Sequence, residues 1–405
     1  MRPSCRFVPR LQVPSLMFAT VVAVIVLTSG AFATTTPPAS AVRILRSGSS
    51  AYAYVGSGTT GTGYINGFAV APDGSAQAVS GSPFSGANSS LVGAASFLFS
   101  TDGNNIVTYG VASDGALSQT SSVNGRAYDL DQQTSYVGGL SLSPNGRNLY
   151  TDELYYDGAN NAYLSWSVNT SGQLMYLPAP AIPPYSTAGG WPFSFSTDGK
   201  FAYTWSICSR DGSVWGYARR SNGTLERMQP GAQVPPPQQG QGTSACSQAV
   251  ATSAAGYVAV AWNGGYCCGG APVIATYGTQ SNGALSLVAN SEQYIGCPQI
   301  TMAFDPSGRY LAVGCNGVQV YALGAQGQLT AIGSVQQSSV PFAYVAWDSA
   351  NHVYGIPQMG WQSCQNGGNA CGLYIFNSNA GALTLAPGAP HALSQPGSLA
   401  ILPQH

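Results

Sequence analysis

The stretch SGRYLAVGCNGVQVYALGAQGQLTAIGS, residues 307–334, alternates short apolar runs with turns that contain glycine. Asn-Gly and related pairs between alternating apolar residues predict β-hairpins, because glycine and asparagine tolerate the positive φ that tight turns require. The stretch therefore predicts consecutive antiparallel strands, the last two of which are joined by the turn AQGQL around Gly327.

The AQGQL turn is one copy of a repeat of the form x-Gly-x-Leu that follows an alternating strand. Seven copies occur, of which only the first lacks the leucine, and their glycines are Gly74, Gly115, Gly172, Gly223, Gly283, Gly327 and Gly381. A second turn lies upstream in several units, at Gly146, Gly199, Gly256, Gly308 and, in degenerate form, Asn351. Each unit thus predicts four antiparallel strands, A to D, with the second turn between A and B and the first between C and D. The turn at Gly103 is ambiguous, since it is close to Gly115 and could be the B–C hairpin of a shortened unit.

Seven four-stranded units of about 50 residues are typical of a β-propeller, in which radial repetition leaves only short, protected sheet edges. The predicted fold is all-β, a seven-bladed β-propeller of four-stranded antiparallel blades. The first unit begins at AYAYV (residues 51–55), which reads as a strand B without a strand A. GSLAILP (residues 397–403) can supply the missing strand, so we expect the C-terminal strand to close the ring.

The first 33 residues have the parts of a secretory signal peptide. Three arginines precede an uncharged apolar run at residues 16–27, and the small-x-small pattern Ala31-Phe32-Ala33 follows it. An uncleaved membrane anchor is the alternative, because the uncharged stretch 11–42 is long enough to cross a bilayer. We expect a signal peptide at 1–33, a linker at 34–42 and one propeller domain at 43–405, in a protein secreted to the extracellular space or the periplasm.

Charge is scarce, since Lys and Arg number 13 and Asp and Glu 14 in 405 residues. Nucleic-acid binding needs many cations to neutralise phosphates, so we expect no nucleic-acid partner. The sequence GSGTTG (residues 56–61) matches a dinucleotide-binding fingerprint, but a strand follows it where that fingerprint needs a helix. We expect no cofactor and no metal site, because Cys-x-x-Cys pairs and nearby histidines are missing from the sequence.

Eight cysteines follow the predicted signal peptide, an even number that suggests disulfides in an exported chain. Cys364 and Cys371 flank a glycine-rich turn and should bridge locally, and Cys297 and Cys315 flank two strands of one unit and could pair across it. The other four are expected to link blades 4 and 5 in one of three pairings that the sequence does not distinguish: Cys208, Cys246, Cys267 and Cys268. We interpret the bonds as staples of long loops.

Several segments resemble the lactonase-like seven-bladed propellers with YVTN-type repeats, a family that includes 6-phosphogluconolactonase-like proteins. They are AYAYVGSG, GYINGFAVAPDG, SGSPF, GRYLAVG and VQVYALGAQGQLTAIGS. The resemblance covers residues 43–403 and implies the propeller fold. For the family's enzymes it also implies a polar pocket on one face, with arginine, histidine and glutamate as binding and acid/base groups. No motif of that kind can be matched residue by residue in this sequence.

Candidate site residues lie on one predicted face. In an up-and-down blade the B–C hairpins and the D–A crossovers share a face, and here these segments are the long ones. Loops on a rigid scaffold commonly carry function. The polar candidates are Arg126, Asp129, Asp131, Asp152, Glu153, Arg210, Asp211, Glu292 and His391, and the aromatic ones are Trp191, Trp361 and Tyr185. Four other tryptophans fall within strand patterns and are expected to be core: Trp205, Trp215, Trp262 and Trp347.

Two functions are compatible with these residues. The first, which we favour, is a binding or interaction module for a small molecule, a carbohydrate, the cell wall or an extracellular protein, with Trp191, Trp361, Tyr185, Arg210, Asp211 and Glu292 as ligand contacts. The second is a lactone hydrolase. Ester hydrolysis needs a base for water and an electrophile for the oxyanion, roles that Asp152 or Glu153 and Arg126 could fill, with His391 nearby. Contact with a membrane is expected only through an uncleaved signal segment.

Overall fold

The computed structural model describes residues 51–57, 63–94, 96–128, 136–154, 162–178, 192–205, 214–228, 246–263, 272–297, 301–358, 364 and 370–403. For residues 126, 128, 136, 152–154, 162, 246 and 263 the description covers the main chain alone. The predicted signal peptide and linker lie outside the described residues. Within the described part of the chain, no helix is long and apolar enough to span a bilayer.

The described strands pair into antiparallel sheets, and five of these are separate four-stranded blades, whose strands are named in the order A to D. Blade 1 contains β29 (Pro396–Pro403), β1 (Ala51–Ser57), β2 (Tyr64–Val70) and β3 (Ala76–Ala78). Blade 2 contains β5 (Ser90–Ala94), β6 (Phe97–Thr101), β7 (Asn105–Val111) and β8 (Leu117–Asn124). Blade 3 contains β9 (Tyr136–Leu142), β10 (Asn148–Leu154), β11 (Ala162–Val168) and β12 (Leu174–Leu177). Blade 4 contains β13 (Ser194–Phe195), β14 (Phe201–Trp205), β15 (Val214–Arg219) and β16 (Leu225–Arg227). Blade 5 contains β17 (Cys246–Thr252), β18 (Tyr257–Asn263), β19 (Val273–Thr279) and β20 (Leu285–Leu287).

Blades 6 and 7 share one larger sheet because two of its strands serve twice. Its members are β22 (Thr301–Phe304), β23 (Tyr310–Leu323), β24 (Leu329–Trp347), β25 (His352–Pro357), β26 (Gly372–Asn379) and β27 (Ala382–Leu385). The Leu323 amide donates to the Arg309 carbonyl at 2.8 Å, whereas a straight strand would hold these groups about 45 Å apart. β23 therefore turns back, at Asn316 and Gly317, and supplies strands B and C of blade 6.

The long strand β24 then joins the two blades. Its start pairs with the second half of β23, with Leu329 opposite Leu323. Its end pairs with β25, with Trp347 opposite Val353. β24 is thus strand D of blade 6 and strand A of blade 7. The predicted seven-bladed propeller is confirmed.

Three further two-residue strands pair with a strand C, and one short helix lies in a crossover. They are β4 (Phe84–Ser85) beside β2, β21 (Gln293–Tyr294) beside β19, β28 (His391–Ala392) beside β26, and a 3-10 helix, Gly125–Tyr128, between β8 and β9.

The first and last described strands meet in one sheet. β29 pairs with β1 over seven residue pairs, from Ala51 opposite Pro403 to Ser57 opposite Pro396. At the seam, which is the interface between two neighbouring blades, a hydrophobic cluster joins Val55 of blade 1 to Ile375 of blade 7. Both side chains are fully buried. The pairing that the sequence predicts for residues 397–403 is therefore present.

The repeat glycines sit where the sequence predicts turns. All seven C–D glycines have positive φ, from 77° at Gly172 to 93° at Gly223. Asn351 has φ 66° at the degenerate A–B turn of blade 7. Gly103 lies between β6 and β7, so it belongs to the B–C hairpin of a shortened unit. Left-handed φ is open mainly to glycine and asparagine, which explains why these two residues mark the repeat.

Apolar side chains pack between neighbouring blades rather than within one blade. Seven hydrophobic clusters occur among the described residues, one at each seam of the ring. At the seam of blades 2 and 3, for example, Phe99 packs with Leu149 and Trp166, all fully buried. Each large apolar side chain buried in this way contributes about 1.5–3 kcal/mol. The blades therefore hold one another in place around the axis.

Tyrosine hydroxyls donate hydrogen bonds across the seams between blades, and at three of the described seams the acceptor is the same turn position. Tyr54, Tyr150 and Tyr203 each donate to the carbonyl of the C–D glycine in the next blade, at 2.7, 2.6 and 2.8 Å. The acceptors are Gly115, Gly223 and Gly283. The repeat glycines therefore form the turns, and their carbonyls accept hydrogen bonds from the neighbouring blade.

Candidate functional site

A central channel of about 450 Å³ runs between the blades. All seven blades contribute residues from or next to their strand A, among them Leu399, Val92, Leu140, Phe193, Val250, Met302 and Tyr344. Every residue that lines this described part of the channel is uncharged. Ligand pockets commonly have 300–1,000 Å³ and mostly apolar walls with a few polar groups. The channel thus has the size and lining of a small-molecule site.

Among the described residues, β-bulges in strand A occur in four blades. In blade 5 the register shifts between Ser247 and Ala249, so Gln248 is the extra residue. Ala343 is the extra residue in blade 7. Both line the channel. The other shifts fall opposite Asp152 in blade 3 and around residue 397 in blade 1. Because a bulge re-aims a side chain and bends its strand, the bulges shape the channel wall.

Most of the channel hydroxyls have structural partners. Ser90 accepts from the Leu140 amide at 3.0 Å, and Ser141 accepts from the Phe193 amide at 2.7 Å. Ser398 donates to the Asn88 carbonyl at 2.9 Å. Each of these hydrogen bonds joins one blade to the next, so the serines connect the inner strands of adjacent blades.

Gln248 differs from these serines. Its Oε1 atom is buried without a hydrogen-bond partner among the described residues, on a side chain that lines the channel. An acceptor left unpaired in this way costs about 1–3 kcal/mol, which a donor from a ligand would recover. Gln248 is therefore a polar side chain of the wall whose hydrogen bonding the described residues leave incomplete, and rotation of the side chain into the channel would present its amide oxygen to a ligand. The sequence signal for it is weak, because a bulge inside a strand A leaves no fixed motif.

Aromatic side chains in the channel come from blades 4 and 7. Trp205, at the end of β14, lines the cavity together with Phe193 and Tyr344. The prediction that Trp215, Trp262 and Trp347 are core is confirmed, since all three are buried. Trp205 is only half-buried, so its assignment to the core was wrong in part. Aromatic rings suit the apolar faces of ligands.

Many residues that the sequence nominates lie outside the described residues: Asp129, Asp131, Tyr185, Trp191, Arg210, Asp211 and Trp361. For Arg126, Asp152 and Glu153 only the main chain is described. Arg126 lies in the 3-10 helix of the blade 2 to blade 3 crossover. Asp152 and Glu153 lie within strand B of blade 3, where the sequence suggested a B–C loop. Their roles as site residues stay predictions.

His391 is at the seam of blades 7 and 1. It begins β28 opposite Leu373, and its ring centroid is 5.5 Å from that of Phe68 in blade 1. Burial lowers the pKa of its imidazole. In the repeat, His391 takes the position of Phe84, which pairs with Ile65 in the same way in blade 1. The imidazole therefore packs in a seam and does not line the described channel.

Glu292 lies just before β21, in the D–A segment of blade 5, and is half-buried. It is not among the residues that line the described channel. Its role as a ligand contact stays a prediction.

Two disulfides are present among the described residues, and both match predicted pairs. Cys364 bonds Cys371 with a Cα–Cα distance of 4.8 Å, and Cys297 bonds Cys315 at 5.9 Å. Cys208, Cys267 and Cys268 lie outside the described residues, and the side chain of Cys246 is not described. Within the described ranges, no group of three or more His, Cys, Asp and Glu side chains could hold a metal ion.

A buried charged cluster lies on the opposite face, in the A–B turn of blade 7. Asp348 Oδ2 is 2.7 Å from His352 Nδ1 and accepts from the Tyr354 hydroxyl at 2.7 Å. His352 Nε2 is 3.2 Å from the Pro72 carbonyl of blade 1. Burial disfavours both charges, but the Asp348–His352 contact outweighs it, so the pKa of His352 is raised and that of Asp348 lowered. The cluster is an ion pair that locks blade 7 to blade 1.

The fold and the channel define the class of the protein, a seven-bladed β-propeller with an uncharged central cavity in its described part. The chain belongs to the lactonase, 7-bladed beta-propeller family, whose model matches residues 33–343. A search of curated protein sequences finds no match.

Solved structures share the fold at low identity. The periplasmic gluconolactonase PpgL of Pseudomonas aeruginosa is 20% identical, with a TM-score of 0.50 over 69% of this chain and 78% of that one. A Lactobacillus plantarum protein is 13% identical, with a TM-score of 0.61 over 87% and 99%. A hypothetical selenium-binding protein of Sulfolobus tokodaii is 10% identical, with a TM-score of 0.55 over 85% and 91%. At these identities the likeness extends to the fold alone.

Proposed function

We propose that the protein is an exported propeller of the lactonase-like family that binds an uncharged, hydroxyl-bearing small molecule or carbohydrate in its central channel. Export is supported by the two disulfides, which form in oxidising compartments, and by the periplasmic location named for PpgL.

The observation that carries the proposal is the composition of the channel wall. Apolar and aromatic residues line it, the serines Ser90, Ser141 and Ser398 bind neighbouring strands, and Gln248 Oε1 has no partner among the described residues. A charged ligand would have to leave water without a counter-charge from this wall, which is costly. A neutral ligand with a hydroxyl or amide donor fits, because it covers the rings and satisfies Gln248.

The experiment is a binding screen with matched pairs of ligands. Neutral lactones and mono- to trisaccharides are compared with their phosphorylated or uronic-acid counterparts by thermal shift and calorimetry. Neutral compounds should bind, with weak dependence on salt. Ala343→Trp, which places an indole ring in the channel and obstructs it, should abolish binding, and Gln248→Leu should weaken it about tenfold or more. Met175→Trp, at an outer-strand position that is 66% exposed, is the control and should leave binding unchanged.

A lactone hydrolase is the second candidate, favoured by family membership and by the gluconolactonase among the structural neighbours. Asp152 lies opposite the bulge in β9, so its main chain is next to the inner strand of blade 3. In this function Glu153 or Asp152 would activate water and Arg126 would stabilise the oxyanion. Acid release from a lactone above the spontaneous rate, lost in Glu153→Gln, would favour hydrolysis over the binding function.

A further inference from the structure

The A–B turns of neighbouring blades contact one another at several seams, on the face opposite the long loops. A Cβ placed on Gly146, the turn glycine of blade 3, would lie 3.4 Å from the Cβ of Ala94 in blade 2. At Gly199 of blade 4 the corresponding distance is 3.6 Å, to Pro144 of blade 3. At Gly308 of blade 6 a Cβ would collide with Ala254 of blade 5. In each case the turn of the preceding blade covers the glycine.

The seam between blades 4 and 5 breaks this pattern. A Cβ on Gly256 of blade 5 would meet no atom within 4 Å. A pocket of about 380 Å³ occupies the gap, between the A–B turn of blade 4 and the two turns of blade 5. A covering turn is present at the seams of blades 2 and 3, 3 and 4, and 5 and 6, so the opening is a departure from these three seams. Departures of this kind commonly mark functional positions.

The pocket is lined by groups that bind hydroxyls. Lys200, the chain's single lysine, pairs with Asp198 at 3.0 Å, and both side chains are largely exposed. Thr197, Gln280 and Ser281 add exposed donors and acceptors. A saccharide hydroxyl can donate to the carboxylate and accept from the ammonium in one contact.

The walls of the pocket also contain apolar surface. Phe201 and Tyr257 line it and are half-buried. Aromatic rings of this kind pack against the C–H faces of sugar rings, and their neighbouring polar groups bind the hydroxyls. The charges of Asp198 and Lys200 cancel, so the pocket carries no net charge to favour an anion.

We propose that the pocket in the seam of blades 4 and 5 is a binding site for an uncharged saccharide, separate from the central channel. Asp198 and Lys200 bind its hydroxyls, Phe201 and Tyr257 cover its apolar face, and the open space over Gly256 admits the ring. The site lies on the face formed by the A–B and C–D turns, away from the central channel. A glycan bound there therefore leaves the channel accessible.

The test measures neutral trisaccharides by calorimetry on the full chain carrying Ala343→Trp, which removes the channel as a binding site. The probes are cellotriose, maltotriose, mannotriose and N-acetylchitotriose, with galacturonotriose as the anionic counterpart. At least one neutral probe should bind at one site per chain. Ser281→Trp, which fills the pocket from an exposed position, should abolish this binding, and Lys200→Gln should weaken it tenfold or more.

Matched variants at the same repeat positions in other blades control for folding. Thr170→Trp in blade 3 corresponds to Ser281→Trp, and Arg309→Gln in blade 6 corresponds to Lys200→Gln. Both should leave the affinity within twofold of the parent chain. The proposal is overturned if no neutral probe binds the channel-filled chain, if galacturonotriose alone binds, or if Ser281→Trp changes the affinity no more than Thr170→Trp does.

Discussion

The channel wall and the seam between blades 7 and 1 differ in the charge of their polar side chains. The described wall is uncharged, and its serines join the main chains of adjacent blades. The seam buries a charged pair, Asp348 and His352, each 2% exposed at the side chain. The buried ion pair therefore lies where the ring closes, whereas the described wall of the channel is neutral. A buried pair is costly to break, because removal of one partner leaves the other unpaired.

The largest expected effect is the loss of the seam's carboxylate. Asp348→Ala leaves His352 Nδ1, the Tyr354 hydroxyl and two backbone amides without their acceptor. The free energy of unfolding should fall by about 3–5 kcal/mol, measured by chemical denaturation. Asp305→Ala removes the equivalent turn aspartate of blade 6, which has no histidine partner among the described residues, and should cost about 1–3 kcal/mol. Equal losses in the two variants would mean that the charge pair adds nothing.

The pH dependence of stability should show the same pair. The pKa of His352 is raised above 6.5, so its contribution is complete below pH 6.5 and is lost as the pH rises through the folded-state value. The pKa of Asp348 is lowered below 3.8, so its contribution is complete above that value and is lost as the pH falls through the folded-state value. The free energies of unfolding of wild type and His352→Gln should therefore differ most between pH 3.8 and pH 6.5. A constant difference at all pH values would contradict an ion pair.

The seam of blades 3 and 4, where the described residues form no buried ion pair, should respond less than the seam of blades 7 and 1. The Tyr150 hydroxyl donates to the Gly223 carbonyl at 2.6 Å and accepts from Arg219 Nε at 3.1 Å. Tyr150→Phe should lower the free energy of unfolding by about 1–3 kcal/mol, since it leaves buried partners unpaired. Tyr64→Phe, at a side chain that is 51% exposed, is the control and should change it by less than about 0.5 kcal/mol. A smaller loss of stability in Tyr150→Phe than in Tyr64→Phe would show that the Tyr150 hydroxyl does not stabilise the contact between blades 3 and 4.

The smallest effect is expected in the channel wall itself. Ser141→Ala removes the acceptor of the Phe193 amide, a single neutral hydrogen bond of 2.7 Å. It should lower the free energy of unfolding by about 1 kcal/mol. Ser286→Ala, at an exposed serine with only a 3.4 Å contact to the Gly278 carbonyl, serves as its control. If Ser141→Ala were as costly as Asp348→Ala, the distinction between wall and seam would be lost.

The sequence predicts the fold well because each repeat marks a position with a strict backbone requirement. The seven C–D glycines and Asn351 all have left-handed φ, which few other residues adopt. The two described disulfides were predictable because Cys364 and Cys371 flank one turn, and Cys297 and Cys315 flank two strands of one unit.

The candidate site is harder to predict. Gln248 reaches the channel through a bulge, and Trp205 lies at the end of a strand pattern that is typical of core. The cluster of Asp348, His352 and Tyr354 spans a turn and binds Pro72 of blade 1, a residue 280 positions away from His352 in the chain. Contacts between blades depend on which side chains the ring brings together, and a linear repeat does not encode that.

The central claim is that the channel binds a neutral ligand and does not hydrolyse it. The most direct measurement follows D-glucono-1,5-lactone with the purified chain, with binding measured by calorimetry and acid release by titration at constant pH. We predict binding that Ala343→Trp abolishes, with acid release no faster than in buffer. Rapid acid release that disappears in Glu153→Gln would contradict the account and identify a lactone hydrolase.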